Sequence, residues 1–457
     1  MLTTDCKFLE NELMDVVRLF EKRPTSICHF FRFLDGVFYN DFTVDGTLYS
    51  FQDKGQVCDE IIYKRLERRY AKLALYRILS NLSREKMPWG ALTGIRPTKL
   101  AYMEKQAGRD YHKLFEDMQV SQENVKLVDD ILAAQEGIYQ TGKGADLFIS
   151  IPFCPTKCAY CSFITAPIDR TRPFLAPYLD CLEQELLSVA PLCDDLRSIY
   201  VGGGTPFVLN ESELERVLRA TAPLVKSGIE YTVEAGRPDV FTDEKLKLLK
   251  DYGVNRICIN PQSFSDETLR KIGRKHTVED VYKAFELSKK YGFIVNVDLI
   301  AGLEDEDVDI FKSSVEQAVQ TGADNITVHC LSLKSGAKLK EEFSRVENGF
   351  VADMVAVSRE ILSNAGYVPY YMYRQKYQAG NNENVGWTKP GKACVYNIDV
   401  MEETTDNIAI GANAVSKRVF DGGARIERFA TQKDLKTYME KLSETMENRL
   451  KFFAKNG

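Results

Sequence analysis

The sequence predicts an α/β fold: an incomplete parallel β/α barrel, with an α+β module before it and an α/β extension after it. Three observations carry that expectation. From Asp146 onward, short apolar runs alternate with amphipathic segments, a rhythm that argues parallel strands with covering helices. Six such units follow within roughly 185 residues, fewer than the eight of a closed barrel. Before Asp146 the pattern is one of hairpins and long helices, and after the sixth unit it becomes irregular. The expected division is residues 1–140 for the N-terminal module, 145–375 for the partial barrel and 376–457 for a C-terminal extension over a substrate cleft.

Taken in order, Glu12 to Phe20 reads as a short helix. From Ile27 to Phe51 aromatic and β-branched residues dominate, broken by Asp35-Gly36 and Asp45-Gly46. Asp-Gly between strand-like runs signals a hairpin. Residues 59–82 place Ile62, Leu66, Tyr70, Leu73 and Ala74 at helical spacing with basic residues between. The stretch Met87 to Lys99 is punctuated by Pro and Gly and marks an ordered turn. Its Arg96 and Lys99 would either bind a carboxylate or belong to a packed loop between modules, the second being preferred. Residues 111–140 are helical in pattern, and Thr141 to Gly144 is the candidate linker.

The barrel strands are expected at 146–152, 197–202, 229–234, 254–260, 293–300 and 324–330. The helices between them are expected at 174–190, 211–226, 243–252, 278–292 and 307–321. In the tail a helix runs to Ala365, followed by Gly366-Tyr-Val-Pro-Tyr-Tyr-Met-Tyr-Arg-Gln-Lys376 and a Gly/Asn-rich loop from Ala379 to Trp387. Residues 394–402 and 407–410 read as strands. A charged helix over 432–453 reads as a solvated face without a signal.

Composition sets the outer bounds. The chain has 457 residues, 44% hydrophobic and 28% charged, which is ordinary for a globular protein with a large core. A formal charge of −6 gives no general electrostatic case for nucleic acid. No run of about eighteen apolar residues exists to span a membrane. The start, Met1 to Glu10, lacks the apolar core of a signal peptide. Eleven cysteines without a paired framework suit reduced thiols, so a cytoplasmic location is expected.

The chemistry concentrates in Leu147-Phe-Ile-Ser-Ile-Pro-Phe-Cys154-Pro-Thr-Lys-Cys158-Ala-Tyr-Cys161. A β-branched run ends in a loop that presents three thiols spaced Cys-x3-Cys-x2-Cys. Three cysteines with no histidine nearby suit a cubane iron–sulfur cluster, one thiolate on each of three irons, leaving the fourth iron open to a small molecule. Zinc with a distant fourth ligand and plain buried cysteines are the alternatives. After the second strand stands Gly202-Gly-Gly-Thr-Pro206, whose lack of Cβ atoms allows close main-chain approach to a ligand. Other strand ends carry Glu234, Asn260 with Gln262, and Asn296 with Asp298, and Arg274 follows in Ile-Gly-Arg-Lys-His276. Acids and amides on successive strand ends suit a polar cofactor in one crevice.

The cysteine triplet followed by Gly-Gly-Gly-Thr-Pro resembles the radical S-adenosylmethionine (SAM) superfamily, and within it the oxygen-independent coproporphyrinogen III oxidases. Trp89-Gly-Ala-Leu-Thr-Gly-Ile-Arg-Pro-Thr-Lys99, the Gly366 to Lys376 stretch and Asn384-Val-Gly-Trp387 resemble the coproporphyrinogen dehydrogenase HemZ subgroup. The resemblance spans essentially the whole chain and implies a partial (β/α)6 radical SAM barrel. It implies a 4Fe–4S cluster on Cys154, Cys158 and Cys161, with SAM on the open iron. Gly203, Gly204 and Thr205 would lie against the methionyl end of SAM. Glu234, Gln262, Arg274 and Asp298 match positions that contact its ribose, carboxylate or amino group. The implied activity is oxidative decarboxylation of coproporphyrinogen III propionates to vinyl groups, giving protoporphyrinogen IX, with an external electron donor and acceptor. A haem chaperone, or an enzyme modifying haem itself, is the alternative, so the partner is a porphyrinogen or haem.

Three departures accompany the resemblance: Phe148 where the oxidases often have tyrosine, Ser162 after the third cysteine, and Glu304 in place of a proline. The Ser162-Phe163 ending also occurs in the haem chaperones. Their His-Asn segment has no counterpart in Gly380-Asn381-Asn382. Tyr370, Tyr371, Tyr373, Arg374 and Lys376 would either line a tetrapyrrole cleft or form a buried aromatic strand.

Overall fold

The computed structural model describes residues 1–94, 96–161, 166–332, 348–375 and 382–454. Ser162, Phe163, Lys376, Gly380 and Asn381 lie outside the described residues. The chain divides into two compact units, Met1–Ile95 with Leu100–Asp129, and Arg96–Lys99 with Asp130–Gly457. Thr141 to Gly144 therefore falls within the second unit.

The first unit holds a four-stranded sheet of β1 (Leu2–Thr4), β2 (Ile27–Leu34), β3 (Val37–Val44) and β4 (Thr47–Lys54), in that order. The two Asp-Gly pairs form its hairpin turns, with Asp35, Gly36, Asp45 and Gly46 all at positive φ, the conformation that a two-residue hairpin turn of this kind requires. Helices Glu10–Val17 and Glu60–Ser83 pack together. The 111–140 stretch is two helices, Tyr111–Asp117 and Gln122–Ala134. Gly90 is fixed there by crowding, since a Cβ would lie 2.1 Å from the Met118 carbonyl oxygen.

The second unit is built on an eleven-stranded sheet. Its centre is six parallel strands: β5 (Ala145–Ile151), β8 (Leu196–Gly203), β9 (Glu230–Gly236), β10 (Arg256–Gln262), β11 (Ile294–Ala301) and β12 (Asn325–Cys330). Between β5 and β8 a two-residue pair, β6 (Phe153–Cys154) and β7 (Ala166–Pro167), fastens the cysteine loop. Beyond β12 come antiparallel β14 (Asn384–Thr388) and then β13 (Val368–Tyr373). On the other side β15 (Asp406–Ile410) pairs parallel with β5 and is followed by antiparallel β16 (Val415–Phe420) and β17 (Arg425–Ala430). The expected partial barrel is present, and each of its six strands lies within two residues of the expected bounds.

Side chains alternate across each strand. One set is apolar and sealed under the helices: Leu147, Ile149, Ile199, Val233, Ile257 and Val297 are all fully buried, each contributing about 1.5–3 kcal/mol by burial. The other set is polar or aromatic and faces the lumen: Asp146 and Phe148, Ser198 and Tyr200, Glu230 and Glu234, Arg256 and Cys258, Asn296 and Asp298. Helices Glu211–Thr221 and Val278–Lys290 begin with capping boxes on Asn210 and Thr277.

Three tail expectations are corrected. Asn384 to Trp387, expected in the loop from Ala379, belong to the strand β14. Residues 395–402 form a helix, Val395–Glu402, and not a strand. Its Val-Tyr-Asn-Ile-Asp-Val pattern has period-two character, but its N-terminus is capped from outside. The Glu230 carboxylate accepts from the Val395 and Tyr396 amides at 2.9 and 3.0 Å and pairs with Arg256 at 3.1 Å. Arg256 also donates to the Lys392 and Ala393 carbonyls. This helix stops the lumen at its lower end. The C-terminal region is two helices, Leu435–Glu440 and Leu442–Ala454, and their face is not wholly solvated. Arg449 and Glu185 are both fully buried, 2.5 Å apart, and Tyr438 donates to the same carboxylate.

Candidate functional site

The cysteine loop begins where β5 ends, at the upper mouth of the lumen. Cys154 and Cys158 are buried and Cys161 is partly exposed. The Gly-Gly-Gly-Thr segment at the top of β8 fits against this loop through its backbone. The Gly204 and Thr205 amides donate to the Ile151 and Phe153 carbonyls, both at 2.8 Å. A Cβ on Gly204 would lie 2.6 Å from the Phe153 oxygen, so glycine is required by close approach there. The Thr205 hydroxyl donates to the Cys154 sulfur at 3.4 Å. Burial pushes the Cys154 thiol up to about 11, with the Thr205 bond opposing. A metal ion taken up at this sulfur would displace a proton.

Two side chains brace the loop from the neighbouring strands. Arg274 donates to the Asn260 carbonyl at 2.5 Å and to the Tyr160 hydroxyl at 3.1 Å. Arg237, which sequence reasoning passed over, donates to Thr156 at 2.5 Å and forms a bidentate pair with Asp239 at 2.9 and 2.8 Å. Its position in the Glu234-Ala-Gly-Arg237 run was the available signal.

Glu234 is half-buried at the top of β9. It accepts from the Tyr200 hydroxyl at 2.6 Å and from the Gly203 amide at 3.3 Å. Gly202 leaves room for this carboxylate, since a Cβ there would come within 2.8 Å of it. Burial pushes Glu234 up to about 7, and the charge of Asp298 adds to the shift. Tyr200 stacks on Tyr396 of the floor helix, with ring centroids 4.3 Å apart, and Phe148 lies 6.2 Å from each. Gln262, buried at the top of β10, has a φ of +75°, a left-handed turn that re-aims the strand end. Asp298 on β11 stands 3.4 Å from His329 of β12. The structure thus brings Glu234, Asp298 and the glycine segment together on the lumenal face, while Arg274 sits under the cysteine loop.

Of the two readings of the Tyr370 to Lys376 stretch, its described part takes the form of a buried aromatic strand. Tyr370 and Tyr371 are buried in β13, where Tyr370 is bonded to Asn397 at 2.9 Å and Tyr371 to Thr327 at 3.1 Å. A Cβ on Gly386 would enter the Tyr371 ring at 1.9 Å, which explains the glycine of the Asn384 to Trp387 motif. Asn384 itself ties the Cys330 amide to the Tyr373 carbonyl. Arg96 and Lys99 do bind a carboxylate, but it is the chain's own Glu403, at 2.8 and 2.6 Å.

Among known proteins, the radical SAM superfamily model matches residues 148–318. The oxygen-independent coproporphyrinogen-III oxidase-like protein HemZ of Bacillus subtilis is 38% identical over 80% of this chain and 76% of its own length. The chain belongs to the HemZ-like branch of the radical SAM superfamily. The haem chaperone HemW of Lactococcus lactis is 35% identical over 49% of this chain and 60% of its own length. The solved coproporphyrinogen III oxidase HemN of Escherichia coli, a radical SAM enzyme, aligns with a TM-score of 0.55 at 20% identity, covering 69% of this chain and 72% of that one. That likeness bears on the fold alone.

A radical SAM protein uses a 4Fe–4S cluster and SAM, and the residues present fit both. Three thiols lie on one braced loop. Among the described residues, Asn260 Oδ1, Arg274 Nε and Ser332 Oγ are buried at the strand tops without a hydrogen-bond partner, leaving polar capacity for a ligand. Among the described residues no three His, Cys, Asp or Glu side chains gather around one metal-ion position. No helix among the described residues is long and apolar enough to cross a membrane.

Proposed function

We propose that this radical SAM enzyme is an oxygen-independent coproporphyrinogen III oxidase, converting two propionate side chains to vinyl groups with loss of CO2 to give protoporphyrinogen IX. The observation that carries the reading is the likeness to HemZ along four-fifths of the chain, joined to a thiol loop opening onto an acid-lined lumen. Cys154, Cys158 and Cys161 would hold the cluster. Bound together, cluster and SAM supply one-electron abstraction of a hydrogen atom, chemistry that belongs to the cofactors.

The chain's residues position and shield. Gly204 and Thr205 have their amides committed to the loop, so they offer SAM carbonyl oxygens, which suit an ammonium group. Glu234 would take the same ammonium, whose charge draws its proton off. Gln262, Arg274, Asp298 and the Gly203 backbone complete the proposed SAM contacts. The floor helix and the Phe148–Tyr200–Tyr396 stack close the lumen below, keeping water from the reacting side chain. An external donor supplies the electron for SAM cleavage, and an external acceptor takes the one left after decarboxylation.

The test is anaerobic incubation of reconstituted protein with reductant, SAM and coproporphyrinogen III, followed by mass spectrometry. Successive losses that convert two propionates to vinyl groups are expected. SAM cleavage with all four propionates intact would refute the proposal. Stoichiometric haem uptake without turnover would move the chain to the chaperone class, and an altered haem would make it a haem-modifying enzyme.

A further inference from the structure

The chain has four histidines. His29 is bonded to Thr4 and Asn40, His112 to Asp110 and Asp129, and His276 is buried beside Asp239. Only His329 stands on the lumenal side of the sheet, at the top of β12, next to a strand-top acid. Its side chain is 25% exposed and that of Asp298 is 29% exposed, so the pair borders the open mouth and is not sealed beneath it.

The hydrogen bonds around His329 select one tautomer. Tyr373 Oη lies 2.9 Å from His329 Nδ1, and on the other side of the ring a carboxylate stands near Nε2. A phenol has one proton to give. A carboxylate only accepts, so the nitrogen facing Asp298 carries the ring proton and the phenol gives its proton to Nδ1. The ring proton of a neutral imidazole is then on Nε2, and Nε2 faces Asp298 Oδ1 at 3.4 Å. That separation is longer than a formed hydrogen bond, and contacts of this kind commonly tighten when a ligand arrives. The three residues come from β11, β12 and β13, so the alignment is set by the sheet and not by one flexible segment.

We infer that His329 is a positioning residue for Asp298: fixed in its Nε2–H tautomer by Tyr373, it engages one carboxylate oxygen and presents the other to SAM. The logic is that of a carboxylate–histidine orienting pair, in which the outer partner sets the geometry of the group that touches the ligand. The inference rests on the proposed SAM contact of Asp298, and the experiment separates the two.

SAM affinity of the anaerobically reconstituted full-length protein is measured by calorimetry, and by the change in the cluster's EPR spectrum on SAM addition. H329F is expected to weaken SAM about 10-fold or more. H329Q, whose amide can still donate to Asp298, should recover most of the loss. D298N should weaken SAM as well, and D298N/H329F should be no weaker than D298N alone. If H329F binds like wild type while D298N is weak, His329 does not position Asp298, although the SAM reading of Asp298 stands. If D298N binds like wild type, that reading fails and the inference falls with it. A second readout needs no cofactor: 15N NMR of histidine-labelled apoprotein should show His329 protonated on Nε2 alone. Protonation on Nδ1 alone would overturn the inference.

Discussion

Replacing Gly204 by alanine tests the claim that the glycine segment is a bearing for the cysteine loop. The new Cβ would lie 2.6 Å from the Phe153 oxygen and 2.8 Å from the Ile151 oxygen. The loop backbone would have to retreat by roughly 0.8 Å to restore ordinary contact. It is held in place by the Gly204 and Thr205 amide hydrogen bonds at 2.8 Å, so the retreat strains both. Overpacking costs about 1–3 kcal/mol, and two weakened hydrogen bonds add up to about 1 kcal/mol each. The expected destabilisation is therefore about 1–5 kcal/mol. Because Thr205 also holds the Cys154 sulfur, cluster retention should fall with stability. The assays are denaturant unfolding of the apoprotein, and iron and sulfide content per chain after anaerobic reconstitution. G94A is the control, since among the described residues a Cβ there meets only Leu92, at 4.0 Å. An unchanged unfolding midpoint with a full iron complement in G204A would refute the reasoning.

Other residues give shorter tests. E403Q should cost about 3–5 kcal/mol in denaturant unfolding, because Arg96, Lys99, Lys417 and Arg428 converge on this buried carboxylate; a loss below about 1 kcal/mol would place the cluster among ordinary surface pairs. Burial pushes both Glu234 and Glu402 up to about 7 from 4.5. The folded chain then holds protons that the unfolded chain has released, so apoprotein stability should fall as pH rises from about 4.5 through 7. E402Q should flatten that slope, and an identical slope in the variant would show that Glu402 does not titrate there. Y200F removes the hydrogen bond that lowers Glu234, so the pH of half-maximal SAM binding should move upward from that of wild type. A downward shift would mean that Tyr200 does not stabilise the charged carboxylate.

The barrel was legible because each strand–helix unit announces itself over a short span of sequence, and the cysteine triplet lies within one loop. What the sequence withheld was settled between distant segments. The 395–402 helix was misread because its cap is Glu230, on another strand. The C-terminal helices looked solvated because the partner of Arg449 is Glu185, in a helix far earlier in the chain. Gly386 carries no signal by itself and is explained only by the Tyr371 ring lying across it. His329 was overlooked because a lone histidine near a strand end has no spacing pattern, and its meaning comes from Asp298 and Tyr373 on other strands. The strand-top acids were found because residue type and strand position coincide locally, whereas Tyr200 and Arg237 acquire roles only through the groups they touch.

The pairing of β15 with β5 has a consequence for how the holoprotein is made. Ser150, four residues before Cys154, donates to the carbonyl of Ala412, 262 residues later in the chain. Until that late segment has left the ribosome, β5 is an unpaired edge and the ground beneath the thiols is unfinished. Iron and sulfide uptake is therefore expected only once the Ala412 segment is available, and a chain cut before Ala412 should lose its iron content.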